Sequence, residues 1–101
     1  MNHEHPEIPK DLIAEFCKRH HVRKLSLFGS FLRDDFGPES DIDFVVEFEE
    51  GLTPGYFELV GMELELTDLV GGRKVDLRTP QELSRYFRDE VMAAAEVQHV
   101  R

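Results

Sequence analysis

The run Asp41-Ile42-Asp43-Phe44-Val45-Val46-Glu47-Phe48 constrains the fold more than any other stretch of the chain. It is rich in Val, Ile and Phe, residues that favour a pleated strand. A strand needs a sheet, and two further short segments can supply one. Arg23 to Phe28 reads as a strand that Gly29-Ser30 breaks, and Lys74-Val75-Asp76-Leu77-Arg78 reads as another. Helical patterns separate them. Pro9 opens one, with Leu12, Ile13 and Phe16 on one face, ending near His20-His21. Phe31 to Asp35 reads as a short helix, followed by a turn over Phe36-Gly37-Pro38-Glu39-Ser40. Glu49 to Leu52 turns the chain. Thr53 then caps a helix with Pro54 in its first turn, running through Tyr56, Leu59, Val60, Glu63 and Leu66 to a stop at Gly71-Gly72. Thr79-Pro80-Gln81-Glu82 has the form of a capping box, which predicts a last helix burying Leu83, Phe87, Val91 and Ala94 or Ala95. The order helix, strand, helix, strand, helix, strand, helix implies the α/β or α+β class: a small mixed sheet with helices packed on it.

A chain of 101 residues is expected to form a single domain over 1–101, with residues 1–7 a loose tail. That length supports one modest core and leaves no room for a separate substrate domain. The hydrophobic share of 41% argues against wholesale disorder. Asp and Glu number 21 against 12 Lys and Arg, a net charge of -9. Such a surface repels phosphate backbones, so direct nucleic-acid binding is not expected. It suits a basic protein partner, or a site that collects divalent cations. Cys17 is the only cysteine, so no internal disulfide forms and a reducing compartment is expected. No apolar run approaches a membrane span, and Met1 to Lys10 lacks an apolar signal core. The expectation is a cytoplasmic protein with no membrane association.

Three features carry chemistry. Gly29-Ser30 joins a strand to a helix, where glycine admits a close ligand and the helix N-terminus offers free N–H groups to a phosphate. By itself this is also the pattern of a plain turn with an N-cap. Asp41 and Asp43 are two apart on a strand, so both carboxylates face one way, roughly 6.5–7 Å apart at the backbone. Two such acids are either solvated on an exposed face or balanced by a basic neighbour or a hard cation. Asp76, between Val75 and Leu77, joins them if the second and third strands are neighbours, and otherwise simply faces solvent. Three carboxylates beside a phosphate cradle suit two-metal nucleotidyl transfer.

Together, Gly29-Ser30, Arg33, Ser40-Asp41-Ile42-Asp43 and Val75-Asp76-Leu77 resemble the Gly-Ser…Asp-x-Asp…Asp signature of the polymerase-beta-type nucleotidyltransferases. The short chain and the segment Tyr86-Phe87-Arg88-Asp89-Glu90-Val91 are similar to the minimal nucleotidyltransferases, and the likeness runs from about Ile8 onward. The resemblance implies the polymerase-beta-type fold, with ATP as nucleotide donor and Mg²⁺, two ions, as cofactor. It implies that Gly29 and Ser30 hold the triphosphate and that Asp41, Asp43 and Asp76 bind metal. Asp76 is also a candidate acceptor of the attacking hydroxyl's proton. Arg33 either steadies the triphosphate or pairs with an aspartate, and Ser40 either orients the Asp41 loop, as part of the nucleotide site, or is a turn residue. Leu32 and Asp34 depart from the Ala and Gly that many relatives carry. The resemblance further implies an antitoxin that transfers AMP to a tyrosine of a HEPN-type RNase toxin. Two alternatives stay open: a non-catalytic antitoxin that masks its partner by binding, and a transferase acting on RNA or a small molecule.

Other features read more plainly. The five histidines match no closed zinc site, and His20-His21 suit a helix C-terminus. Lys18, Arg19, Arg23 and Lys24 make a small basic cluster set against a strongly acidic chain. Tyr56, Phe57, Leu59, Met62 and Leu66 give their helix more apolar surface than one core face needs, which leaves homo- or hetero-oligomers open.

Overall fold

The computed structural model describes residues 8–29, 37, 40–52 and 54–100. The elements in chain order are helix α1 (Lys10–Arg19), strand β1 (Val22–Phe28), strand β2 (Ile42–Phe48), helix α2 (Tyr56–Leu69), strand β3 (Val75–Arg78), a 3-10 turn over Pro80–Glu82, helix α3 (Arg88–Ala94) and strand β4 (Glu96–Val100). The strands form one sheet in the order β3-β2-β1-β4. β1 runs antiparallel to both β2 and β4, whereas β2 and β3 are parallel. This is the mixed sheet with packed helices that the sequence implies. The expected helix over Phe31 to Asp35 lies outside the described residues, as does Thr53 itself. The helix expected to start at Thr53 with Pro54 in its first turn begins instead at Tyr56, with Gly55 as its N-cap, so Pro54 precedes it.

Alternation along the strands builds the core. Leu25 and Leu27 of β1, Ile42, Phe44 and Val46 of β2, and Val75 and Leu77 of β3 share one face. Ile13, Phe16 and Cys17 of α1 and Met62 and Leu66 of α2 close over that face. Burying each large apolar side chain contributes roughly 1.5–3 kcal/mol, so this layer dominates the fold's stability. Burial also pushes the Cys17 thiol up to about 12. α1 ends at His20, whose ring lies 2.9 Å from Glu65 of α2, and Arg19 binds the same carboxylate. The glycine pair after α2 behaves as expected. Gly71 and Gly72 have φ of +75° and +87°, and the Gly72 N–H donates to the Thr67 carbonyl at 2.8 Å. Glu63 ties α2 to the sheet by accepting the Leu77 N–H at 2.7 Å.

The C-terminal region departs from expectation. The capping box is real, since the Thr79 N–H donates to Glu82 Oε1 at 2.9 Å. It closes only one 3-10 turn, because Leu83 is already extended. The helix begins at Arg88 rather than Pro80, and Phe87, expected in the core, is 57% exposed. Arg88 holds the segment by donating to the carbonyls of Pro80 (2.8 Å) and Leu83 (3.1 Å). Beyond α3, the chain forms the unexpected strand β4, pairing Lys24 with Val100 and Leu27 with Glu96. Among the described residues, no helix is long and apolar enough to cross a membrane.

Candidate active site

The three aspartates take their places from the register of the sheet. In the parallel β2–β3 ladder, Ile42 faces Val75, Asp43 faces Asp76 and Phe44 faces Leu77. Ile42, Phe44, Val75 and Leu77 are in the core, so Asp43 and Asp76 lie side by side on the opposite face. Asp41 is two residues before Asp43, on the same side. In the antiparallel ladder Phe28 pairs with Asp43, which brings Gly29 to the same end of the sheet. Gly29 has a φ of +72°, and a Cβ built on it would lie 2.5 Å from Asp43 Oδ2. The Asp43 carboxylate therefore leans over the backbone of Gly29, and a side chain there would have to push it aside and adopt a strained backbone.

Arg78 and Lys74 lie against two of these acids. Arg78, two residues after Asp76, places Nε 3.2 Å from Asp76 Oδ1 and Nη2 3.2 Å from Oδ2. The hydrogen bonds and charge of Asp76, with smaller contributions from Glu82 and Asp43, hold the Arg78 guanidinium above the ordinary arginine range, although its partial desolvation works the other way. Lys74, two residues before Asp76, puts Nζ 3.9 Å from Asp41 Oδ2. These pairs are partly solvated and contribute on the order of 1 kcal/mol or less each. They nonetheless supply the basic neighbours that clustered carboxylates require. Among the described residues, no three His, Cys, Asp or Glu side chains are gathered closely enough to hold one ion. The chemistry of the donors still fits a hard cation: carboxylate oxygens on one strand face, with no sulfur or imidazole among them.

Ser40 sits in the turn before β2. Its hydroxyl accepts the Gly37 N–H at 3.1 Å, and its own N–H donates to the Gly37 carbonyl at 3.0 Å. Arg73 clamps this turn, donating to the carbonyls of Gly37 (2.8 Å) and Ser40 (3.0 Å). Ser30 and Arg33 lie outside the described residues. Sequence reasoning missed Arg73, Lys74 and Arg78. The last two were legible, because the period of two that puts Asp76 on the acid face puts its neighbours at 74 and 78 there as well. Arg73 had no local signal, since its carbonyl partners are more than thirty residues away in sequence. A groove of about 620 Å³ opens at the far end of β2, beside Phe48, Leu52, Leu59 and Pro80. None of the three aspartates lines it.

Residues 10–97 match the family model described as a nucleotidyltransferase domain. A Methanocaldococcus jannaschii protein whose name assigns it provisionally to the protein adenylyltransferases is 34% identical over 89 residues, covering 88% of this chain and 91% of its own length. A solved structure described as a minimal nucleotidyltransferase superposes with a TM-score of 0.69 at 30% identity, covering 85% of each chain. The fold is also that of an antitoxin structure solved with a tri-AMPylated HEPN toxin of Shewanella oneidensis. That match has a TM-score of 0.66 at 18% identity and covers 91% of this chain and 70% of that one.

Proposed function

The chain belongs to the nucleotidyltransferase domain family and is a nucleotidyltransferase, and from that premise we propose that it is a Mg²⁺-dependent protein adenylyltransferase acting as an antitoxin. Its donor is ATP, and its acceptor is a tyrosine of a HEPN-type toxin in the cytoplasm. One observation carries this reading. Asp43 and Asp76 are register partners on adjacent parallel strands, with Gly29 packed under the Asp43 carboxylate. That arrangement keeps two acids and a side-chain-free backbone at one end of the sheet. Support for a protein acceptor comes from the relatives: the Methanocaldococcus jannaschii protein's name, and the AMPylated toxin in the Shewanella oneidensis complex.

In this reading Asp41, Asp43 and Asp76 hold Mg²⁺, which when bound offsets the charge of the triphosphate and of the departing pyrophosphate. Gly29 and Ser30 seat the phosphates. Asp76 takes the proton as the tyrosine oxygen attacks the α-phosphorus. The new O–P bond forms in line with the breaking bond to the β-phosphate, and pyrophosphate leaves. Arg78 leaves Asp76 when the site is loaded and turns its charge toward phosphate. Ser40 and Arg73 fix the turn that aims Asp41. The test is incubation with labelled ATP, Mg²⁺ and a purified HEPN-type protein. Label should appear on the HEPN-type protein as AMP and disappear with EDTA. Label that stays in solution with every such partner refutes the proposal.

A further inference from the structure

Helix α2 is apolar on two opposite faces. Met62 and Leu66 are fully buried, and Leu59 and Leu69 pack against the same core. Across the helix from them, Phe57, Val60, Gly61 and Leu64 follow the spacing i, i+3, i+4, i+7. Phe57 is 87% exposed, Leu64 is 63% exposed, and Tyr56 stacks edge-on against Phe57 at 5.7 Å. Scattered exposed apolar residues need no explanation, but this is a second complete amphipathic stripe. The same four-position spacing is how helices are read by grooves in partner proteins. Gly61 lies in the middle of the stripe. A Cβ there would touch nothing within 4 Å among the described residues, so its smallness serves no contact with them. A glycine inside a helix costs roughly 0.5–1 kcal/mol relative to alanine, and close approach of another backbone would offset that.

The charge on α2 selects the occupant. The helix carries Glu58, Glu63, Glu65 and Asp68 and has no basic residue. Two copies packed through this stripe would bring like charges together between chains of net charge -9. A partner with Lys and Arg around an apolar groove meets the opposite situation, and its charges steer the encounter. The two exposed rings can bury on the order of 300 Å². That is a substantial part of the ~800 Å² per partner that a stable interface needs.

We propose that the Phe57–Val60–Gly61–Leu64 face of α2 docks into a basic-rimmed groove of the protein that this enzyme modifies. The inference rests on the reading of the chain as a protein adenylyltransferase and names the surface that reading lacks. Gly61→Gln tests it, because the substitution suits a helix yet blocks close approach. The companion variant is Phe57→Ser/Leu64→Ser. Binding to an immobilised HEPN-type protein is measured with ATP omitted, beside AMP transfer at saturating partner and light scattering of the free chain. The expected result is a Kd raised about tenfold or more in both variants, with transfer at saturation retained. The free Gly61→Gln chain should melt no lower than wild type, and binding by wild type should weaken with salt. Unchanged Kd in both variants, while wild type still transfers AMP, overturns the docking face and leaves the activity standing. Dimers of wild type that dissociate in Phe57→Ser/Leu64→Ser overturn it in favour of a second copy. Failure of wild type either to bind or to modify any HEPN-type protein overturns the proposed function itself.

Discussion

Gly29→Ala strikes the one place where backbone and candidate catalytic acid compete for the same space. Its energy divides into two parts. A residue with a Cβ in the left-handed region, where Gly29 sits at φ +72°, costs about 1–2 kcal/mol. The added methyl also falls 2.5 Å from Asp43 Oδ2 and 3.3 Å from its Cγ, so the whole carboxyl group must swing away. A displaced rotamer costs about 0.5–1.5 kcal/mol more. The sum of about 1.5–3.5 kcal/mol should lower Tm by on the order of 10 °C in a chain of this size. If Asp43 holds metal as proposed, moving its carboxylate by an ångström should cut AMP transfer on the order of 10²-fold. Thermal melts and urea titrations of Gly29→Ala, Asp43→Ala and the double variant separate the two parts. Removing the Asp43 side chain should relieve the clash and leave the backbone cost, giving a coupling of at least about 0.5 kcal/mol. If Gly29→Ala melts with wild type and transfers AMP at the same rate, the close packing of Asp43 over Gly29 is wrong.

Three further outcomes follow from the charges and the core. Arg78→Gln should bind Mn²⁺ at least as tightly as wild type in a paramagnetic-resonance titration, because Arg78 holds the Asp76 carboxylate that is proposed to bind metal; weaker binding would mean that Arg78 positions Asp76 rather than competing for it. Glu65 is held below the usual carboxylate range, first by its hydrogen bond from Arg19 and then by His20, although its partial desolvation works the other way. The stability it contributes is present above the unfolded carboxyl's pKa of about 4.3 and is lost as pH falls through the lower folded value. Urea midpoints of Glu65→Gln should therefore fall less steeply below that pH, and an identical acid limb would contradict the pairing. Cys17, buried with its thiol pushed up to about 12, should react with a thiol reagent at pH 8 only as fast as the chain opens; labelling at the rate of a free thiol would contradict its burial.

The sequence carried the sheet's centre and the acid face but not the sheet's edge. Ile42 to Phe48 is a strand by composition, and the period of two that buries Ile42 and Phe44 also aims Asp43. β4 was illegible for a physical reason. Glu96-Val97-Gln98-His99-Val100 is polar and largely exposed, and what makes it a strand is pairing with β1, about seventy residues earlier. Local propensity cannot see that contact. The capping box at Thr79 misled in the opposite way. It is satisfied as written, yet a cap only starts a helix, and Leu83 stops this one after a single turn. The surplus apolar surface of α2 was visible from composition. Which residues face outward emerged only once Met62 and Leu66 were seen to take the core side.

The central claim is that the carboxylates beside Gly29 perform transfer to a protein, rather than merely surviving in a chain that binds one. Intact-mass measurement of the HEPN-type partner after co-expression tests it most directly, with growth scored in the same cells. Wild type should add the mass of AMP to the partner and restore growth. Asp41→Asn/Asp43→Asn should co-purify with an unmodified partner and leave growth inhibited. Full protection by the double variant, with no AMP on the partner, would contradict catalysis as the function and leave an antitoxin that acts by binding alone.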